Sequence, residues 1–275
     1  MLAFLQNGPV QVALLLSCAA ALLCGALGLF TVLRGQAFAG HALADVSSAG
    51  GAGSLLFGVS PLLGFLFFGV AGVAGLEILQ PQRAAGRDEA AGILLGAGLG
   101  LTALLLHFCL TAHGASGAAQ AVMFGAMFST PPGVAIWSCV LAGVCLLVLA
   151  CIARPLLLAS LDAELARVAG VLPRVMGLVF LLLLALAVTL AAMTVGAILA
   201  TALLIGPAAA GMRLARGPLG GVVVSMALGL AACWGGIGLA YESYGWTPGR
   251  TWPVSFFIVA LLLVFYAAAG LRRRA

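Results

Sequence analysis

Apolar residues run along this chain in blocks of about twenty, separated by short polar breaks. They follow neither the strand period nor the one-sided helical period of a soluble domain. A block of that length, read as a helix, is what crosses the roughly 30 Å of hydrocarbon in a bilayer. Nine blocks can be marked, at residues 10–33, 37–57, 59–79, 90–110, 133–153, 174–192, 195–212, 218–240 and 253–271. The pattern predicts an all-α, polytopic transmembrane helix bundle of about nine spans, with residues 1–275 forming one transmembrane domain. The sixth and seventh blocks are nearly continuous through Met193 and Thr194, so their turn must be tight. The second is the least hydrophobic, with Ser47, Ser48, Gly50, Gly51 and Gly53 in its middle.

Composition rules out the soluble classes. The chain is 64% hydrophobic and 7% charged, against about 25% charged in a soluble domain. Residues 1–9 carry no basic region, and the run from Val10 to Leu33 is too long for a signal-peptide core, so the first block reads as a span. Charge then fixes an expected orientation. There are 12 basic residues, all arginine. With nine spans, Arg34, Arg83, Arg87, Arg154, Arg167, Arg174, Arg213, Arg216, Arg272, Arg273 and Arg274 fall on one side and only Arg250 on the other. The positive-inside rule places that side in the cytoplasm, with the N-terminus outside and the C-terminus inside. The arginines are spread over several loops, which excludes a nucleic-acid patch. The 7 cysteines lie mostly inside apolar blocks and form no CxxC, so they read as small buried hydrophobes.

Against this background His41 and Asp45 stand out. They are one helical turn apart, on the same face, among Ala, Gly, Leu and Val. Counting from Arg34 at 1.5 Å per residue, they lie roughly 10 and 16 Å deep. Ionisable groups at that depth are expensive and face a bundle interior or a polar path. Imidazole plus carboxylate suits a first-row divalent metal; the bland alternative is a satisfied pair that glues two helices. The neighbouring serines and glycines are expected to leave space beside the pair, as a pore lining would. His107 and His113 near the outer end of the fourth span, and Glu242 with Tyr241 and Tyr244 in the last outer loop, are weaker candidates for capturing metal.

A second polar feature is Leu161-Asp162-Ala163-Glu164-Leu165-Ala166-Arg167-Val168-Ala169-Gly170. Acidic residues open it, Gly170 suits a left-handed stop, and Pro173 blocks continuation, so it reads as a short amphipathic helix. It is either an ordinary connection or a docking helix. Glycines repeat at four residues (Gly92, Gly96, Gly100) and at three (Gly69, Gly72, Gly75), which predicts close helix crossings. Chemistry within the chain is not supported. Gly114-Ala115-Ser116-Gly117 matches the GxSG of intramembrane serine proteases, but no histidine follows His113. A nucleotide-binding P-loop needs a lysine that the chain lacks.

Several segments resemble the membrane permease of the ABC-3 family. Leu33-Arg34-Gly35-Gln36-Ala37-Phe38-Ala39-Gly40-His41-Ala42-Leu43-Ala44-Asp45 is similar to that family's early motif, with the order of the two ligand types exchanged. Asp162, Glu164, Ala166, Gly170 and Val171 match a later motif, and Met123-Phe124-Gly125 a third. Val195, Gly196, Leu199, Ala202, Leu203, Leu204, Pro207, Ala208 and Ala209 match a fourth. The resemblance covers residues 30 to 270. It implies a multi-pass permease of the bacterial inner membrane, not itself an enzyme, that moves zinc, manganese or iron and holds no permanent cofactor. It also implies three partners: a cytoplasmic ABC ATPase, an extracytoplasmic metal-binding protein and a second permease copy. Metal would pass His41 and Asp45. Asp162, Glu164, Leu165, Ala166, Arg167 and Gly170 would form the coupling helix that docks the ATPase. A permease for a metal chelate or vitamin, and a non-transporting membrane scaffold, are the rival readings.

Overall fold

In the computed structural model, residues 7–79, 86–114, 117–246 and 252–272 are described. They form eleven helices: α1 (Gly8–Leu33), α2 (Ala37–Phe57), α3 (Pro61–Leu79), α4 (Gly86–His113), α5 (Ala118–Phe124), α6 (Pro132–Leu161), α7 (Ala163–Val168), α8 (Pro173–Val195), α9 (Ala197–Leu214), α10 (Pro218–Trp246) and α11 (Val254–Arg272). Proline opens α3, α6, α8 and α10, where its missing N–H costs nothing and its fixed φ already suits a helix. The tight turn expected near residue 194 is Gly196, whose φ of 100° separates α8 from α9. The sequence pattern did not anticipate α5, which is too short to carry a span-like block.

Eight of these helices, all the long ones except α2, are long and apolar enough to cross a membrane. The second predicted span exists as a 21-residue helix, but its serines, glycines and Asp45 keep it below that apolarity. It needs none, because α3, α4, α5, α8 and α9 pack around it and every residue from Ala42 to Ser54 is buried. The core joins α1, α2, α8 and α9 through Leu23, Leu27, Leu43, Phe180, Leu184, Leu203 and Leu204. The other long helices flank this centre and turn one side outward.

The crossings run through glycine, only partly as the repeats predicted. Gly50 of α2 sits on the backbone of Gly64 in α3, and Gly72 of α3 meets Leu43 and Val46. On α4 the expectation fails. Gly96 and Gly100 face open space, whereas Gly98, outside the repeat, lies against the backbone of Asp45 and Val46. Two residues on a helix are a rotation of about 200°, so the repeat marked the wrong face.

Contacts also gather three of the described arginines. Arg34 at the end of α1 reaches Ser160 at the end of α6 and lies over the Phe180 ring of α8. Arg174 pairs with Glu77 at the end of α3. Arg213 at the end of α9 bonds and stacks on Tyr266 of α11. One end of the bundle is therefore the arginine-bearing end. Arg83, Arg250, Arg273 and Arg274 lie outside the described residues, as do the side chains of Arg87 and Arg272.

Candidate functional site

The site begins one turn into α2. Gly40 allows close approach to α8 and α9, since a Cβ there would stand 2.8 Å from Leu204 Cδ2. The next residue, His41, places Nδ1 2.7 Å from Thr201 Oγ1 of α9. Its Nε2 faces Asp45 Oδ2 at 3.7 Å, the i,i+4 contact expected from the sequence. The two side chains differ sharply in access: 34% of His41 and 3% of Asp45 is exposed. Asp45 Oδ2 has no hydrogen-bond partner. A buried carboxylate oxygen is ordinarily bonded, and the His41 ring that faces this one stands beyond hydrogen-bond distance.

The surroundings of Asp45 are tied off. Ser48 donates to the Asp45 carbonyl at 2.7 Å and pairs with Thr102 of α4 at 2.9 Å. Ser47 pairs with Thr189 of α8 at 2.7 Å and donates to the Phe65 carbonyl at 3.0 Å. The expectation that these serines and the glycines leave open space is thus corrected. The hydroxyls bond across helices, Gly50 admits the backbone of Gly64, and Gly51 admits the ring of Phe65. They lock α2 in place and leave the unpaired oxygen as the exception.

One chain offers an imidazole, a carboxylate and a hydroxyl here. No group of three or more His, Cys, Asp or Glu able to hold a metal occurs among the described residues. His107 is exposed on α4, beside Phe108. The neighbouring Cys109 reaches the Ala52 carbonyl, which puts His107 toward the far end of α2 from His41. Glu242 and Tyr241 are exposed on α10, and the side chains of His113 and Tyr244 lie outside the described residues, with Ala115 and Ser116 of the GxSG match. Of the cysteines, Cys24, Cys109, Cys145 and Cys233 are buried as expected, while Cys151 is exposed.

At the arginine-bearing end, the segment 161–170 folds as α7 and its two stops. The helix is shorter than predicted, because Leu161 still belongs to α6. Asp162 Oδ1 accepts from the N–H groups of Glu164 and Leu165, both at 2.9 Å. Gly170 takes φ 77°, and the Val171 N–H returns to the Ala166 carbonyl at 2.9 Å. Ala166 is buried, whereas Leu165 and Val168 point outward at 54% and 87% exposure. At the other end, Gly125 and Gly196 lie against each other's strands of chain, and the Ala126 N–H donates to the Met193 carbonyl at 3.2 Å. The Met123-Phe124-Gly125 element therefore braces the α8–α9 turn. Sequence reasoning missed Thr201, Thr102 and Ser160; no spacing in the chain ties them to their partners.

Comparison with known proteins agrees with this architecture. A model of the ABC 3 transport family matches residues 6–269. "Manganese import system permease protein ScaB" of Streptococcus parasanguinis is 29% identical over 240 residues, covering 87% of this chain and 82% of the relative. "Manganese transport system membrane protein MntC" of Listeria innocua is 28% identical over 205 residues, 74% of this chain and 72% of the relative. Among solved structures, "PsaBC from Streptococcus pneumoniae in complex with Fab" superposes with a TM-score of 0.82 at 22% identity, over 100% of this chain and 98% of that one. This last likeness bears on the fold.

Proposed function

This chain belongs to the ABC 3 transport family, and on that premise we propose that it is the membrane permease subunit of an ATP-driven importer of a divalent metal. Manganese is the first cargo to test, ahead of iron and zinc, because the relatives named above are manganese permeases. The observation that carries the reading is Asp45 Oδ2, a buried carboxylate oxygen without a hydrogen-bond partner facing an imidazole nitrogen at 3.7 Å. A pair that served only as helix glue would spend that oxygen on a neighbour.

A divalent ion cannot enter hydrocarbon without compensation for its lost water. Asp45 supplies charge and His41 a nitrogen lone pair. Two protein ligands are too few to hold the ion, and this favours a second copy about a two-fold axis. The partly exposed His41 lies where such a copy can reach it, and two imidazoles with two carboxylates then suit a first-row ion. A lone pair of ligands from each side also keeps binding weak enough for release. The arginine-bearing end faces the cytoplasm in this reading. There α7 docks a separate ATPase through outward-facing Leu165 and Val168. Asp162, Glu164, Ala166, Arg167 and Gly170 shape that helix and its charge. An extracytoplasmic binding protein delivers the metal at the other end, and the whole works in the bacterial inner membrane by alternating access.

His41→Ala and Asp45→Ala test the site directly. With membrane insertion verified, manganese uptake in cells lacking other importers should fall to background in each variant. Wild-type uptake by both would remove the pair from the transport path.

A further inference from the structure

The ring of His41 is turned with Nδ1 toward α9 and Nε2 toward Asp45. A neutral imidazole carries one N–H and one lone pair, and only the lone pair binds a cation. Bound metal-ligating histidines generally donate the second ring nitrogen's hydrogen to an acceptor, which fixes both tautomer and ring direction. In this chain the group at the second nitrogen is Thr201 Oγ1, 2.7 Å from Nδ1. With the hydrogen on Nδ1 and the hydroxyl accepting it, the lone pair sits on Nε2. That is the nitrogen facing the unpartnered Asp45 Oδ2.

We infer that Thr201 is a positioning residue for the transported metal: its hydroxyl holds the His41 ring so that Nε2 and Asp45 converge on one ion. The inference rests on the proposed role of His41 and Asp45. Thr201 belongs to a different helix from both, and this gives it a second consequence. Beside the His41–Thr201 contact Gly40 leaves room for the Leu204 side chain, one turn after Thr201, to lie against α2. Orientation of the ligand therefore depends on the packing of α9 on α2, and any motion that parts these helices frees the ring. The hydroxyl is also a neutral acceptor. It aims the ring without adding negative charge, so Asp45 remains the sole charged ligand of the pair and the ion is not held too tightly to leave.

Mn²⁺ titration of the full-length protein in lipid nanodiscs, followed by the electron paramagnetic resonance signal of free Mn²⁺, reads this directly. Thr201→Val keeps the branched shape and removes only the hydroxyl. It should weaken Mn²⁺ binding by about 10- to 100-fold, the range for losing a group that orients a metal ligand. Thr201→Ser should restore wild-type affinity, and the thermal midpoint of Thr201→Val should fall by no more than the loss of one interhelical hydrogen bond produces. Wild-type affinity in Thr201→Val, with binding lost in His41→Ala, would overturn this inference and leave the site standing. Equal loss in the Val and Ser variants would also overturn it, by assigning the effect to packing. Wild-type affinity in His41→Ala would overturn the site and the inference together.

Discussion

α2 and α6 are built in opposite ways. α6 has a mean hydropathy of 2.6, yet only 28% of its spanning window is buried. Ile136, Trp137, Val140, Val144 and Leu147 all turn outward. α2 carries serine, glycine, histidine and aspartate, and it is buried all round from Ala42 to Ser54. In water the more apolar helix would lie inside. In a bilayer the surroundings are as apolar as leucine, so hydropathy no longer selects the interior. Close approach and interhelical hydrogen bonds select it instead, and these favour small and hydroxylic residues. The helix that cannot face lipid is placed at the centre, and the carboxylate it carries goes with it.

The sharpest way to break this contrast is steric. Gly98 and Gly96 are two residues apart on α4, but a side chain at 98 meets the backbone of Asp45 and Val46, while 96 faces open space. Gly98→Val should destabilise the protein by about 3 kcal/mol or more, since backbone cannot yield as a side chain end does. Gly96→Val should be close to neutral. Denaturation midpoints in detergent measure both, and equal effects would mean that α4 does not hold α2 by close approach.

Removing a hydroxyl is a smaller perturbation. Thr102→Val takes away the partner of Ser48 at nearly constant volume. The expected loss is about 0.6 kcal/mol, and at most about 1.7 kcal/mol, as for other intramembrane hydrogen bonds. A loss above that would show that the hydroxyl network, rather than the glycine crossings, carries the interior of α2.

The outer face of α6 should give the smallest effect. Leu147 is 66% exposed, so Leu147→Ala exchanges one lipid contact for another and should cost about 0.5 kcal/mol. The same change at a buried leucine costs about 2–5 kcal/mol. A cost in that higher range at Leu147 would mean that protein covers this face, with a second copy as the first candidate.

Helix existence and the α7 stops were legible in the sequence because each depends on residues within a turn or two, whereas α6 and α10 run on to Leu161 and Trp246, past the ends expected at 153 and 240. Asp162 capping the N–H groups of Glu164 and Leu165 and left-handed Gly170 are local chemistry. The shared face of His41 and Asp45 follows likewise from the helical period. The family resemblance, with its early motif around these two residues, was legible for the same reason. What lay beyond reach was everything set by rotation and depth between helices. The four-residue repeat on α4 pointed to Gly96 and Gly100, yet the crossing runs through Gly98, because which face turns inward depends on the partner's shape. Thr201 stands 160 residues from His41, and Ser160 stands 126 residues from Arg34. No periodicity connects such pairs. Chain order determined the helices and their candidate ligands; close packing of backbones at small residues decided which carboxylate oxygen is buried without a hydrogen-bond partner and which hydroxyl meets the imidazole beside it.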